Sequence, residues 1–255
     1  MFKRKLFAAA VAVALAGGAS TAGALTASTA NAATPSCGGS CVNVFSPQFG
    51  THHHPSFIMD SFRQGTRTGN PIILFQASNN DPAEDFVLSV QGSVADFFQA
   101  GLVTSSVALH YGCVAGVTFH TCNPAVSTND PAWEMEYAPF GAPTGECVGV
   151  ARTAGQGTPV TLQPCGASSK TIWIGDTLDG HFTSFLHGHF PMINGSDTNF
   201  SHPFVLTYPF AAHPTDHPRP VLMTAALTGH SNGPFPVLTT INSNQLWGIT
   251  IGVIH

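Results

Sequence analysis

The chain has 255 residues and a net charge of −5 at pH 7, with 43% hydrophobic and only 8% charged residues. Eight lysines and arginines are too few to neutralise a run of nucleic-acid phosphates or to bind an anionic membrane surface strongly. The composition therefore argues against nucleic acid and charged membranes as partners, and it favours a globular chain with a weakly charged surface.

Residues 1–32 have the three parts of a secretory signal peptide. Positions 3–5 are basic, residues 6–15 form an apolar run, and residues 30–32 read Ala-Asn-Ala, a small-residue cleavage site. The apolar run is too short to span a bilayer, and no later segment is longer. We therefore expect a secreted protein without a transmembrane span. Cleavage would leave 223 residues, with five basic and thirteen acidic side chains and a net charge of −8.

Short runs rich in Val, Ile, Phe and Thr follow one another along the mature chain, separated by glycine and proline. Many such runs at close spacing predict an all-β sandwich or barrel. One further segment, 95–100, has the pattern of a single helical turn. The strands are predicted at 41–45, 72–75, 86–90, 103–109, 117–121, 160–163, 172–174, 204–208, 221–224, 237–241 and 247–253.

Six cysteines remain after cleavage, and an even number in a secreted chain indicates three disulfides. The sequence does not choose among the connectivities, but pairing between sequence neighbours is the simplest. A zinc site is disfavoured because a second cysteine pair at zinc spacing is missing. The neighbouring pairs are Cys37 with Cys41, Cys113 with Cys122, and Cys147 with Cys165.

A unit consisting of a Gly/Pro turn, an apolar run, a short polar segment and an aromatic residue occurs repeatedly. A fainter copy covers 117–133 and ends in Asp130-Pro131-Ala132-Trp133. We expect the aromatic residues of these units to be core anchors. The clear copies end in Glu84-Asp85-Phe86, Thr171-Ile172-Trp173 and Asn244-Gln245-Leu246-Trp247.

The copy from Cys147 through Gly157 and Cys165 to Trp173 resembles the unit of ricin-type β-trefoil lectins. That unit consists of Cys-x-Asp-x, a glycine turn, an apolar-x-Leu strand, a second cysteine and Gln-x-Trp. The resemblance implies an all-β, β-trefoil-like fold of strand–turn–strand units with local disulfides. Two arrangements stay open: a trefoil-like domain over 33–176 followed by additional β units at 177–255, or one enlarged domain that includes both.

The resemblance also implies where a sugar would bind. In the family, an Asp in the first motif and an Asn before Gln-x-Trp hydrogen-bond sugar hydroxyls, and an aromatic side chain covers the apolar face of the sugar. Asp60 and Phe75 match the Asp and aromatic positions of the first unit. Asn80, or its neighbour on either side, replaces the missing Asn there, and Asn244 matches it in the last unit.

No unit carries the complete set of sugar-binding residues. In the second unit, Gly149 stands at the Asp position and Lys170 at the Asn position. In the last unit, no Asp lies upstream of Asn244. We therefore expect the first unit to be the sugar-binding one.

Catalytic motifs are absent, because the chain has no Gly-x-Ser-x-Gly, His-Glu-x-x-His or P-loop. His187 and His189 have a spacing that suits a metal, but no carboxylate stands nearby at a familiar spacing, and uncharged surface histidines are the preferred interpretation. Glu134 and Glu136 share a strand face, which is weak evidence for a glycosidase pair. We expect no enzymatic activity, no cofactor and no metal.

The sequence thus predicts a secreted, lectin-like protein that recognises an extracellular polysaccharide or glycan without catalysis. The alternative is a secreted structural or protein-interaction β protein that has lost sugar binding. The low charge and the nineteen phenylalanines would favour self-association in that case.

Overall fold

The computed structural model describes residues 37–47, 50–51, 54–78, 81–115, 120–122, 130–166, 168–176, 188–199, 203–208, 219–220, 222–225 and 242–251. The predicted signal peptide, residues 1–32, lies outside them. No helix in the described segments is long and apolar enough to cross a membrane.

Strands dominate the described residues, with two short helices after the sixth strand. Tight 3₁₀ turns at Phe62–Gln64, Pro82–Glu84 and Ser243–Gln245 lead into or out of strands. The helices are α1 (Val94–Gln99) and α2 (Ser105–His110). The strands are β1 (Val42–Phe45), β2 (Gly50–Thr51), β3 (His54–Pro55), β4 (Phe57–Ser61), β5 (Ile72–Gln76), β6 (Phe86–Ser93), β7 (Cys113–Ala115), β8 (His120–Cys122), β9 (Pro131–Tyr137), β10 (Glu146–Val150), β11 (Val160–Pro164), β12 (Ile172–Gly175), β13 (Met192–Asn194), β14 (Phe204–Thr207), β15 (Arg219–Pro220), β16 (Leu222–Ala225) and β17 (Gly248–Ile251).

Six strand segments close into a barrel. β1 pairs with β6, β6 with β9, β9 with β12, and β12 with β13, all antiparallel. A bridge between Phe190 and Trp247 and the pairing of β17 with β1 complete the ring. The strands after residue 188 therefore belong to the same barrel as those before residue 176.

Three hairpins of the main sheet, β4–β5, β10–β11 and β14–β16, alternate with the barrel strands along the chain. Backbone bonds join the first two hairpins, since the Leu162 N–H donates to the Asn70 carbonyl at 2.8 Å. β15, from the third unit, pairs with β5. A six-stranded barrel with three hairpins is the arrangement of a β-trefoil. The all-β, β-trefoil-like fold predicted from the sequence is confirmed.

The aromatic residues predicted as core anchors are buried. Phe86, Trp133, Trp173 and Trp247 are each at most 1% exposed. The Trp173 indole N–H donates to the Val148 carbonyl at 2.8 Å. This hydrogen bond ties the aromatic anchor of the second unit to hairpin strand β10. The Trp247 indole N–H donates to a carbonyl of β14, that of Leu206, also at 2.8 Å. Each indole therefore fastens the hairpin of its own unit to the barrel.

Two of the predicted disulfides are confirmed, Cys37–Cys41 and Cys147–Cys165. The second links the adjacent strands of the β10–β11 hairpin across its open end. Cys113 is disulfide-bonded, and Cys122 is its Cα partner in the β7–β8 register. The described cysteines include no free thiol.

One predicted strand is wrong. The segment 103–109 is mostly helix α2, because the Thr104 hydroxyl accepts the Val107 N–H at 3.2 Å and caps the helix. Val107 and Ala108 turn inward and join a second apolar cluster beneath the two helices. The helical turn predicted at 95–100 is confirmed as α1, which begins with a capping box between Ser93 and Asp96.

The fainter repeat predicted at 117–133 is also wrong as a unit. Its last residues, Asp130-Pro131-Ala132-Trp133, do not close a unit, since β9 begins at Pro131 and opens the next one. Asp130 and Trp133 are buried at that strand's start. The segment therefore resembles the other copies in sequence but occupies a different place in the fold: Trp133 lies on the strand that opens a unit, whereas the other aromatic anchors close theirs.

We expect the Cys147–Cys165 disulfide to contribute strongly to stability. Replacing both cysteines with alanine should lower the free energy of unfolding by about 3 kcal/mol, because the open chain gains loop entropy. Urea denaturation under non-reducing conditions measures this. A loss below about 1 kcal/mol would mean that hairpin pairing alone holds the unit.

The indole hydrogen bond of Trp173 should also be measurable. Trp173→Phe removes the donor to Val148 and leaves space around a smaller ring, so we expect a loss of roughly 2–4 kcal/mol in unfolding free energy. Phe140 is 43% exposed, and Phe140→Leu is the control, expected within about 0.5 kcal/mol of wild type. Equal stability of the two variants would contradict the anchoring role.

Candidate functional site

A pocket of about 290 Å³ lies on the first unit. The β4–β5 hairpin supplies one wall, and the 3₁₀ turns at Phe62–Gln64 and Pro82–Glu84 supply the rest. The pocket therefore lies between the turn that follows β4 and the turn that precedes β6.

Asp60 and Phe75, the two residues predicted for sugar binding in the first unit, both line this pocket. The hairpin register pairs Asp60 with Ile73, and Phe75 lies two residues beyond Ile73, so all three side chains share one face. Asp60 is 4% exposed, whereas Phe75 is 42% exposed. The site thus combines a buried carboxylate with an exposed aromatic ring.

The turn after β4 places two polar residues at the pocket in an uncommon backbone conformation. Arg63 has φ 54° and Gln64 has φ 56°, both in the left-handed region that costs a non-glycine residue roughly 1–3 kcal/mol. Both side chains line the pocket. Strain of this kind is concentrated at functional sites. The sequence carried no signal for it, since neither residue type prefers that region.

Asn70 holds this turn in place. Its amide donates to the Ser61 hydroxyl at 2.9 Å and to the Phe62 carbonyl at 3.1 Å. The Ser61 hydroxyl in turn donates to the Gly65 carbonyl at 2.7 Å. Side chains from β4 and from the segment that precedes β5 therefore hold the strained turn from both sides.

Asp81 lines the pocket opposite this turn. Its carboxylate accepts the Ala83 N–H at 3.0 Å, which caps the turn before β6. The Gln64 amide approaches the same oxygen at 3.4 Å. Asp81 is one of the neighbours considered for the amide role, whereas Asn80 itself lies outside the described residues.

Three carboxylates converge beside the pocket. Oxygens of Asp60, Asp81 and Glu84 all lie within 4.8 Å of one another. Burial, and secondarily the charge of Asp81, raises the pKa of Asp60 to about 7. Burial also raises the pKa of Glu84 to about 9, although the Ser78 N–H donates to its carboxylate at 3.0 Å and opposes the shift. No local sequence pattern predicts the contact of Glu84 with Asp60, because the two residues lie in different segments of the chain.

Asn244, the other predicted ligand-binding residue, has a structural contact. Its amide donates to the Tyr208 carbonyl at 2.6 Å, and the Tyr208 N–H donates to the Asn244 carbonyl at 2.9 Å. This pair ties the turn before Trp247 to the end of β14. Asn244 does not line the first-unit pocket.

The second unit has no room for an acidic side chain at the corresponding position. A Cβ on Gly149 would lie 2.7 Å from the Lys170 carbonyl oxygen, closer than real contacts allow. The Thr171 side chain would lie 3.0 Å away. Close backbone packing therefore explains why glycine stands where the first unit has Asp60.

The glutamates considered as a glycosidase pair and one of the histidines considered as metal ligands also make structural contacts. Glu134 is buried and accepts the Thr171 hydroxyl at 2.5 Å, while Glu136 accepts the Gly145 N–H at 2.8 Å. His189 packs edge-on against Phe45, with ring centroids 5.9 Å apart. His187 lies outside the described residues.

No protein-family model and no curated protein matches the sequence. Among solved structures, the designed three-fold symmetric protein ThreeFoil is similar with a TM-score of 0.46 and 12% identity, over 83% of this chain and 98% of that chain. A mosquitocidal holotoxin gives 0.45 and 9%, over 84% and 17%. The binding domain of botulinum neurotoxin serotype C1 gives 0.37 and 7%, over 85% and 44%. At these values the neighbours carry no argument about function, and the fold assignment rests on the strand pairing.

The carboxylate cluster predicts how stability depends on pH. The folded pKa values of Asp60 and Glu84, about 7 and about 9, lie above their ordinary values of 3.8 and 4.5. The folded state therefore holds protons that the unfolded state releases, and stability falls as pH rises through this range. The charges of Asp81 and Asp85 act in the same direction.

Lowering the pH from 8 to 5.5 without divalent cations should accordingly raise the free energy of unfolding by at least about 1 kcal/mol. Urea denaturation at several pH values measures this. In Asp60→Asn combined with Glu84→Gln, the rise should largely disappear. An unchanged slope in the double variant would assign the pH dependence to other groups.

Proposed function

We propose that the chain is a secreted carbohydrate-recognition protein without catalytic activity, and that one sugar ring binds between Asp60 and Phe75. The observation that carries this proposal is the pairing of a 4% exposed carboxylate with a 42% exposed aromatic ring in one pocket. A large apolar ring left in water beside a buried charge is costly for a purely structural site.

The groups around the pocket suit a sugar. The Phe75 ring can cover the apolar C–H face of a pyranose. Asp60 and Asp81 offer acceptors for hydroxyl groups, and Arg63 and Gln64 offer donors. A volume of about 290 Å³ is at the lower end for small-molecule pockets, which favours recognition of one ring within a longer glycan.

The proposed partner is an extracellular polysaccharide or glycan. The confirmed disulfides support an oxidising compartment, which agrees with the signal peptide predicted for residues 1–32. The ligand-binding residues proposed are Asp60 and Phe75, with Arg63, Gln64 and Asp81 around them. Sugar binding by Asn244 is not part of this proposal, since its amide already bonds Tyr208.

A glycan array tests the proposal directly. We expect wild-type protein to bind a subset of glycans, and Phe75→Ala and Asp60→Ala each to weaken binding at least about tenfold, which corresponds to 1.4 kcal/mol. Phe140 has nearly the same exposure as Phe75, at 43%, and does not line the pocket. Phe140→Ala is therefore the matched control and should bind like wild type.

Binding that survives both pocket substitutions would contradict the site. Absence of binding by wild type would favour the alternative, a structural or protein-interaction β protein, which the closed position at Gly149 in the second unit would also suit. Light scattering over a range of concentrations then separates self-association from a monomer.

A further inference from the structure

The carboxylates of Asp60, Asp81 and Glu84 form a compact set of oxygens beside the pocket. Their oxygens lie within 4.8 Å of one another, and Asp60 and Glu84 are 4% and 3% exposed. Among the described residues, no lysine, arginine or histidine forms a salt bridge with any of the three. Buried carboxylates in proteins are normally paired, protonated or bound to a metal.

The buried polar groups nearby point to a missing ligand. Asp60 reaches the pocket, and within the described part of the chain its carboxylate accepts no hydrogen bond. The Tyr137 hydroxyl is fully buried without a partner. Its phenol lies within electrostatic reach of the carboxylates of Asp60, Asp81 and Asp85. A buried polar atom without a partner calls for a water or an ion.

Asn43 contacts the backbone of Glu84 and carries a second buried atom without a partner. Its amide nitrogen donates to the Glu84 carbonyl at 2.9 Å, while its side-chain oxygen is buried without a partner. Neither Tyr137 nor Asn43 is a carboxylate, so both observations are additional to the acidic cluster itself.

We propose that Asp60, Asp81 and Glu84 bind a calcium ion, with water from the pocket completing its coordination. Only oxygen ligands are present, which suits a hard divalent cation. Ca²⁺ accepts about six to eight oxygen ligands in a flexible geometry, whereas Mg²⁺ requires a near-ideal octahedron and usually takes only one or two protein carboxylates. The convergence of three protein carboxylates therefore favours Ca²⁺ over Mg²⁺.

The calcium site shares Asp60 with the proposed sugar pocket but does not rest on sugar binding. The cation can be measured with no sugar present, and sugar binding can be measured with the cation removed. A failure of one proposal is therefore distinguishable from a failure of the other.

Isothermal titration of CaCl₂ into the chelator-treated, disulfide-bonded protein tests the site. We expect one Ca²⁺ per chain, at least about tenfold weaker binding of Mg²⁺, and a rise in melting temperature with Ca²⁺ concentration. Asp60→Asn and Glu84→Gln should each weaken Ca²⁺ binding at least about tenfold. Asp96→Asn removes an exposed carboxylate at the start of α1 and should leave Ca²⁺ binding unchanged.

Circular dichroism establishes that each variant is folded before titration. If Glu84→Gln does not fold, Asp81→Asn takes its place, because Asp81 is only partly buried. The proposal is overturned if wild type shows neither heat nor a thermal shift at millimolar Ca²⁺. It is equally overturned if the cluster variants bind like Asp96→Asn, or if Mg²⁺ binds as tightly as Ca²⁺.

Discussion

The barrel depends on three buried aromatic side chains at corresponding places in its units, Phe86, Trp173 and Trp247. Each is fully buried in the main apolar core. Two of them also donate an indole hydrogen bond to a strand of their own hairpin. A ring that fills the barrel and bonds the hairpin couples the two parts of each unit, so the units fold as one core.

The first unit differs from the other two at this anchor, and the candidate pocket lies beside the difference. Phe86 has no indole N–H, and the turn before it, Pro82–Glu84, instead presents Asp81 and Glu84 to β4. In the second unit, the backbone at Lys170 packs directly against Gly149. Corresponding positions of the same fold are thus filled by backbone packing in the second unit and form a pocket with acidic side chains in the first.

The proposed site departs from the usual rules of a stable fold in three ways. Carboxylates cluster in a poorly solvated place, Arg63 and Gln64 have left-handed backbone conformations, and Phe75 is exposed. Each of these costs folding free energy, and all three are found at one pocket. Several destabilising features in one place are expected where residues are selected for binding rather than for stability.

The sequence by itself determined the all-β class and the aromatic anchors, because strand periodicity and apolar burial are local properties, and it favoured neighbouring cysteine pairs without choosing a connectivity. The resemblance to the ricin-type unit also named Asp60 and Phe75 together, and the β4–β5 hairpin places both at one pocket. Only the tertiary structure decided that 103–109 is mostly helical, because Val107 and Ala108 pack into the second apolar cluster and the Thr104 N–H donates to the Gly195 carbonyl. The tertiary structure likewise joined Glu84 and Tyr137 to Asp60, because barrel closure sets contacts between distant strands that no local pattern records.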